Sequence, residues 1–102
     1  MDSVEGKLMH RKTTFGAIFP YNGSLYTVKG ALNVSLPSGD LEVTVKFTPD
    51  ADMTVQPREL TGSFGPEKIR IKLDDKVLIE GSLKDAVEVE TSLRGTAKWV
   101  FV

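Results

Sequence analysis

The feature of this sequence that most restricts its fold is an alternation of apolar and polar residues. Apolar residues recur at every second position over 26–36, 41–47, 69–73, 77–83 and 87–101, and no stretch repeats them at helical spacing. Alternate side chains of a β-strand point to opposite faces of the sheet, so this pattern predicts strands with one buried face. We therefore predict an all-β protein in which residues of one parity line a shared interior, among them Val28, Val45, Ile71 and Val89.

Turns can be placed because paired antiparallel strands must bury the same face. Asn22-Gly23 is typical of a two-residue hairpin turn, since both residues tolerate positive φ. We place a four-residue loop over 37–40. A three-residue loop over 74–76 is preferred to a two-residue turn, which would mix the buried and exposed faces. These turns pair Phe19 with Tyr26, Leu36 with Leu41, and Leu73 with Val77.

Several glycines share the parity of the buried residues, which favours a closed barrel. Glycine inside a strand often marks a bend, and the strands of a small barrel must bend to meet one another. We predict a small antiparallel β-barrel of about seven to nine strands joined by hairpins, with a two-sheet β-sandwich as the alternative. A first strand is expected from near Ser3 to Thr13-Thr14, and a loop over 48–58. The inward glycines are Gly6, Gly30, Gly62, Gly81 and Gly95.

Length and composition exclude several classes of protein. The 102 residues have the length of a single domain, which we place over residues 1–102. A formal net charge of −1 argues against nucleic-acid binding, and the absence of cysteine excludes disulfides and thiolate metal sites. With no long apolar run and no signal-peptide pattern, we expect a soluble cytoplasmic protein that does not bind membranes.

No set of residues with catalytic spacing can be assembled from this sequence. His10, the single histidine, falls on the inner parity near a barrel rim, but Met9, Arg11 and Lys12 beside it cannot orient it as a general base. Asp50 with Asp52, or Asp74 with Asp75, offer too few oxygens for calcium and are better explained as turn residues. We expect no catalytic residues, no metal and no cofactor. Whether the protein is an enzyme stays open, and the sequence favours a protein that is not one.

One segment resembles a known family. Asn33-Val34-Ser35 followed by Gly39 resembles the Asp/Asn-x-Ser-x-x-Gly motif of the PilZ family, whose small barrels bind cyclic di-GMP with the help of an upstream Arg-x-x-x-Arg. Here Ser38 occupies the glycine position, and Phe15 stands four residues after Arg11, where the second arginine would be. The resemblance implies a degenerate nucleotide-binding domain as one alternative. His10, Arg11, Asn33 and Ser35 are accordingly kept as candidate ligand or rim residues.

Apolar residues on the polar parity indicate an interface. The chain ends Trp99-Val100-Phe101-Val102, and a strand that is apolar on both faces must be covered to avoid aggregation. We predict a homo-oligomer whose interface residues are Met9, Leu78, Val100 and Val102.

The sequence favours a non-catalytic binding or protein-interaction module that associates with itself. This prediction depends on the almost entirely apolar inner face, and the partner is an unidentified protein or small ligand. The alternatives are a self-assembling structural protein, the PilZ-like domain, and an isomerase- or cyclase-like enzyme that transfers a proton with His10 in a hydrophobic cavity.

Overall fold

The computed structural model describes residues 2–21, 23–48, 58–74 and 76–100, and these residues form six strands. All strand pairs are antiparallel, which confirms the all-β prediction. The described part of the chain contains no helix that could cross a membrane. The strands are β1 (Asp2–Tyr21), β2 (Ser24–Phe47), β3 (Arg58–Phe64), β4 (Lys68–Leu73), β5 (Val77–Ser82) and β6 (Thr91–Val100).

The strands close into a barrel because β2 pairs with both ends of a four-stranded sheet. The strand order is β1-β2-β5-β4-β3-β6, and β2 pairs with β5 over 44–47 and with β6 over 27–32. Strands β2, β5, β4, β3 and β6 thus form a closed five-stranded barrel, and β1 is an extra strand beside β2. The barrel prediction is confirmed, whereas the count of seven to nine strands was too high for the described residues.

The predicted number of strands was too high because a bend shared by β1 and β2 was interpreted as the end of a strand in each. The loop over 37–40 was wrong: β2 runs through it without reversing, and Leu36 faces Lys12 while Leu41 faces Leu8. The break at Thr13-Thr14 was wrong as well, because β1 continues to Tyr21. Buried positions in both strands change parity across this region, from His10 to Phe15 and from Leu36 to Leu41. A bend with register shifts changes parity in the same way as a turn.

The two tight turns have the predicted register. Tyr21 faces Ser24 and Phe19 faces Tyr26, as a two-residue turn requires, although Asn22 itself lies outside the described residues. Leu73 faces Val77, and the Lys76 amide donates a hydrogen bond of 3.0 Å to the Leu73 carbonyl. Asp74 takes a φ of 51°, a conformation that aspartate tolerates in turns. The predicted loop over 48–58 lies mostly outside the described residues, and Arg58 begins β3.

The buried residues of the described chain are apolar, apart from His10. Val28, Val45 and Ile71 are fully buried as predicted, and Trp99 packs edge-on against Phe19 with ring centroids 5.7 Å apart. Val89 was wrongly assigned to this interior, since 69% of it is exposed. The apolar alternation continues through Val89, but the strand itself begins at Thr91. A residue outside the hydrogen-bonded ladder has no fixed face, so its parity carries no information.

Candidate functional site

His10 is a buried polar residue that is in contact with other parts of the chain. It is 7% exposed, and its Nδ1 donates a hydrogen bond of 2.5 Å to the carbonyl of Pro37. A carbonyl oxygen can only accept, so this contact places the ring proton on Nδ1. The ring lies edge-on to Phe64, with centroids 5.4 Å apart, and a Cβ at Gly39 would lie 3.1 Å from it. His10 therefore holds the bend of β1 against the bend of β2.

The other candidate rim residues lie near this bend. Arg11 and Ser35 are exposed on β1 and β2, respectively. Asn33 is also exposed, but its Oδ1 accepts a hydrogen bond of 2.8 Å from the backbone amide of Arg94. Asn33 thus connects β2 to β6. Nucleotide binding through these residues stays a prediction.

The predicted interface residues lie in separate places. Met9 is 65% exposed on the first half of β1. Leu78 is half-buried on β5, where it faces Lys46 and Lys72. Val100 is half-buried at the end of β6 and faces Thr27. Val102 lies outside the described residues. Met9, Leu78 and Val100 therefore lie on three different strands. An interface through these residues stays a prediction.

A broad concave surface lies on the bent β1–β2 hairpin, and we call it the hairpin groove. It consists of two open depressions of about 830 Å³ and 510 Å³, which share Lys7, Ile18, Glu42 and Thr44. Both halves of β1 and both halves of β2 contribute to it, together with the end of β5 at 80–82. The bend that sequence analysis mistook for two chain breaks therefore brings the parts of the hairpin groove together.

Exposed apolar side chains concentrate in the hairpin groove. Four large apolar side chains are exposed among the described residues, and Met9, Ile18 and Leu25 line the groove. Ile18 is 40% exposed and Leu25 is 68% exposed, and the two lie diagonally across the hairpin, with Pro20 facing Leu25. Clustered exposed apolar side chains mark interaction sites more often than scattered ones do. Ile18 and Leu25 were missed, although both lie on the polar parity of a hairpin whose register was correctly predicted.

The rim of the hairpin groove carries charges of both signs. Lys7 faces Glu42 directly across the β1–β2 ladder. Lys84 lies 3.2 Å from Asp40, and both side chains are mostly exposed, so this ion pair contributes little to stability. Glu80 binds Lys46 at 3.2 Å and Arg70 at 3.4 Å. A mixed rim of this kind suits a protein surface better than it suits a strongly charged small molecule.

The aspartates considered for calcium lie in turns or outside the described residues. Asp74 lies 3.3 Å from Arg58 and forms an ion pair with it. Asp50, Asp52 and Asp75 lie outside the described residues. Among the residues that the structure does describe, no group of three or more histidines and carboxylates converges on one point.

Comparisons with protein families, curated proteins and solved structures found no match to this chain.

Proposed function

We propose that this protein is a non-catalytic protein-interaction module that associates with a second copy of itself through the hairpin groove. The observation that carries the proposal is the concentration of Met9, Ile18 and Leu25 in one groove, while the described interior is closed by apolar packing. Burial of these side chains against a partner removes apolar surface from water, which is the main favourable term in protein association.

The mixed charge of the groove and the position of Leu25 support a second copy of this chain as the partner. In a two-fold dimer the two copies contact each other through the same surface. A surface that carries both cations and anions can therefore place a cation of one copy next to an anion of the other. The rim offers lysines and carboxylates in nearly equal number. Leu25 also projects beside a depression of about 510 Å³, which in a partner copy would receive it.

The proposal is tested by sedimentation equilibrium of Leu25→Lys and of the wild type. We expect a wild-type dimer and a folded Leu25→Lys monomer, because a buried lysine without a partner opposes association. Val89→Lys is the matched control, since Val89 is equally exposed but lies outside the groove, and it should remain dimeric. A wild type that sediments as a monomer at high concentration, or a Leu25→Lys dimer, would overturn the proposal.

A further inference from the structure

Two lysines face each other on the outer surface of the barrel. Lys29 of β2 and Lys98 of β6 are directly opposite in the β2–β6 ladder, and both are exposed. Side chains so paired have their Cβ atoms about 4.5–5.5 Å apart, and like charges in this position destabilise a sheet. Residues that cost stability without serving the fold are characteristic of functional sites.

The neighbouring described residues leave this pair uncompensated. Neither lysine forms an ion pair with any residue that the structure describes. On the far side of Lys29 the ladder places Gly16, which has no side chain. Glu59 faces Thr96, so it is a diagonal neighbour of both Lys98 and Arg94. Its one negative charge cannot neutralise both of these cations. The outer face of β6 therefore carries an excess of positive charge.

A depression lies between the two lysines. Its volume is about 300 Å³, and Lys29, Lys98 and Thr96 line it together with Gly30, Ala31 and Ala97. Ala31 lies on the outer face with the lysines, and its short side chain leaves space for a ligand. Ala97 is buried and a Cβ at Gly30 would meet the Phe15 ring, so these two residues contribute backbone to the depression. The Thr96 side chain adds a hydroxyl donor on the same strand face as Lys98. The depression thus combines two cations, a neutral donor and a floor of backbone with the side chain of Ala31.

We propose that this depression binds the phosphate group of a small ligand. A phosphate carries close to two negative charges at neutral pH and three strong acceptor oxygens, which match two ammonium groups and one hydroxyl. A single carboxylate would leave one lysine uncompensated. The outward residues that flank the pair are Thr27, Ala31, Thr96 and Val100, which provide no aromatic ring on which a nucleic-acid base would stack.

The test is a titration with inorganic pyrophosphate, followed by calorimetry and by amide chemical shifts of the full chain. We expect one site per chain, shift changes centred on Lys29, Thr96 and Lys98, and weaker binding as salt is raised. Lys29→Gln/Lys98→Gln should weaken binding by at least about tenfold, because two charge-assisted contacts are lost. Lys68→Gln/Lys72→Gln removes the same charge from two exposed lysines of β4 and should leave affinity nearly unchanged.

Lys98→Glu separates binding from folding. It converts a like-charge pair into an opposite-charge pair, so we expect its unfolding midpoint to rise by about 1–5 °C while pyrophosphate binding is lost. Absence of pyrophosphate binding to the wild type would overturn the proposal, as would equal loss in the two double variants. Citrate binding as tight as pyrophosphate, or binding of an oligonucleotide but not of pyrophosphate, would also overturn it. Lys29 also lines the hairpin groove, so the titration is repeated with Leu25→Lys, which keeps Lys29 and Lys98. Leu25→Lys should bind pyrophosphate as a monomer, so failure of the phosphate site is distinguished from failure of the dimer.

Discussion

His10 shows how one polar side chain is accommodated at the point where both long strands bend. Its Nδ1 donates to the Pro37 carbonyl, and its ring fills the space beside Phe64 and Gly39. Because β1 and β2 change parity here, the two strands do not form a regular hydrogen-bonded ladder at the bend. The histidine provides both a hydrogen bond and a packed ring.

We therefore expect His10→Ala to lower the free energy of unfolding by about 2–4 kcal/mol, since it removes a buried ring and one hydrogen bond. Arg11→Ala, at the exposed neighbouring position, should change it by less than about 0.5 kcal/mol. Urea unfolding followed by circular dichroism measures both values. Equal effects of the two substitutions would show that His10 is not part of the structural core.

Gly6 is required where the two halves of β1 approach each other. A Cβ at Gly6 would lie 2.5 Å from the Ile18 carbonyl oxygen and 2.8 Å from the Phe19 Cβ, and neither atom can move without moving the backbone. At Gly16, in the same strand, the nearest atom would be 3.9 Å away, which is ordinary contact. The two glycines therefore differ in the space that surrounds them.

Gly6→Ala should destabilise the protein by about 1–3 kcal/mol through overpacking. Gly16→Ala should be neutral or stabilising by up to about 1 kcal/mol, because alanine restricts the unfolded chain more than glycine does. Denaturant midpoints of the two variants test this difference. If Gly6→Ala is as stable as Gly16→Ala, the close approach within β1 is wrong.

At the scale of elements, the sequence predicts faces well and chain reversals poorly. The Asn22-Gly23 and 74–76 turns were correct because their residues favour turns and their registers match apolar faces. The 37–40 segment contains Pro, Ser, Gly and Asp as a turn would, yet β2 continues through it. Parity alone does not distinguish a reversal from a bend here, because a four-residue loop and the observed bend both move the buried set from Leu36 to Leu41.

For the hairpin groove, the sequence predicts which apolar side chains are exposed but not that they lie close together. Met9 was identified because it breaks the polar parity of its strand, and the same criterion applied to 15–28 identifies Ile18 and Leu25. What the sequence does not contain is the bend that brings Met9 and Ile18 to one groove. That proximity depends on the path of the backbone over 10–14 and 31–39, where the register shifts.

Lys12 marks the bend in β1 with a positive φ of 53°, which is unfavourable for a residue with a Cβ. Lys12→Gly should therefore stabilise the protein by about 0.5–1 kcal/mol. Lys7→Gly, in the regular part of the same strand, should destabilise it by about 0.5–1 kcal/mol. Thermal unfolding of the two variants gives the comparison, and a loss of stability in both would indicate that β1 does not bend at Lys12.

At the scale of the whole molecule, the barrel depends on β6, which closes the ring by pairing with β2 on one edge and β3 on the other. The sequence predicted that β6 is a strand but not that its neighbours are residues 27–32 and 58–64. Partner choice between distant strands depends on the closure of the whole sheet, because many strands present similar apolar faces to the interior.

Thr96 tests this closure because it is paired on both edges, with Ala31 of β2 and Glu59 of β3. The backbone amide of Thr96 faces either β2 or β3, and both strands offer carbonyl acceptors. Thr96→Pro therefore removes a hydrogen bond of the ladder and places a proline ring inside the sheet. We expect a loss of at least about 3 kcal/mol, a large share of the stability of a small domain. Thr96→Ala keeps the amide and should cost less than about 1 kcal/mol. Amide dispersion in proton–nitrogen correlation spectra distinguishes the outcomes: a well-dispersed Thr96→Pro spectrum would mean that β6 is an edge strand and that the barrel is open.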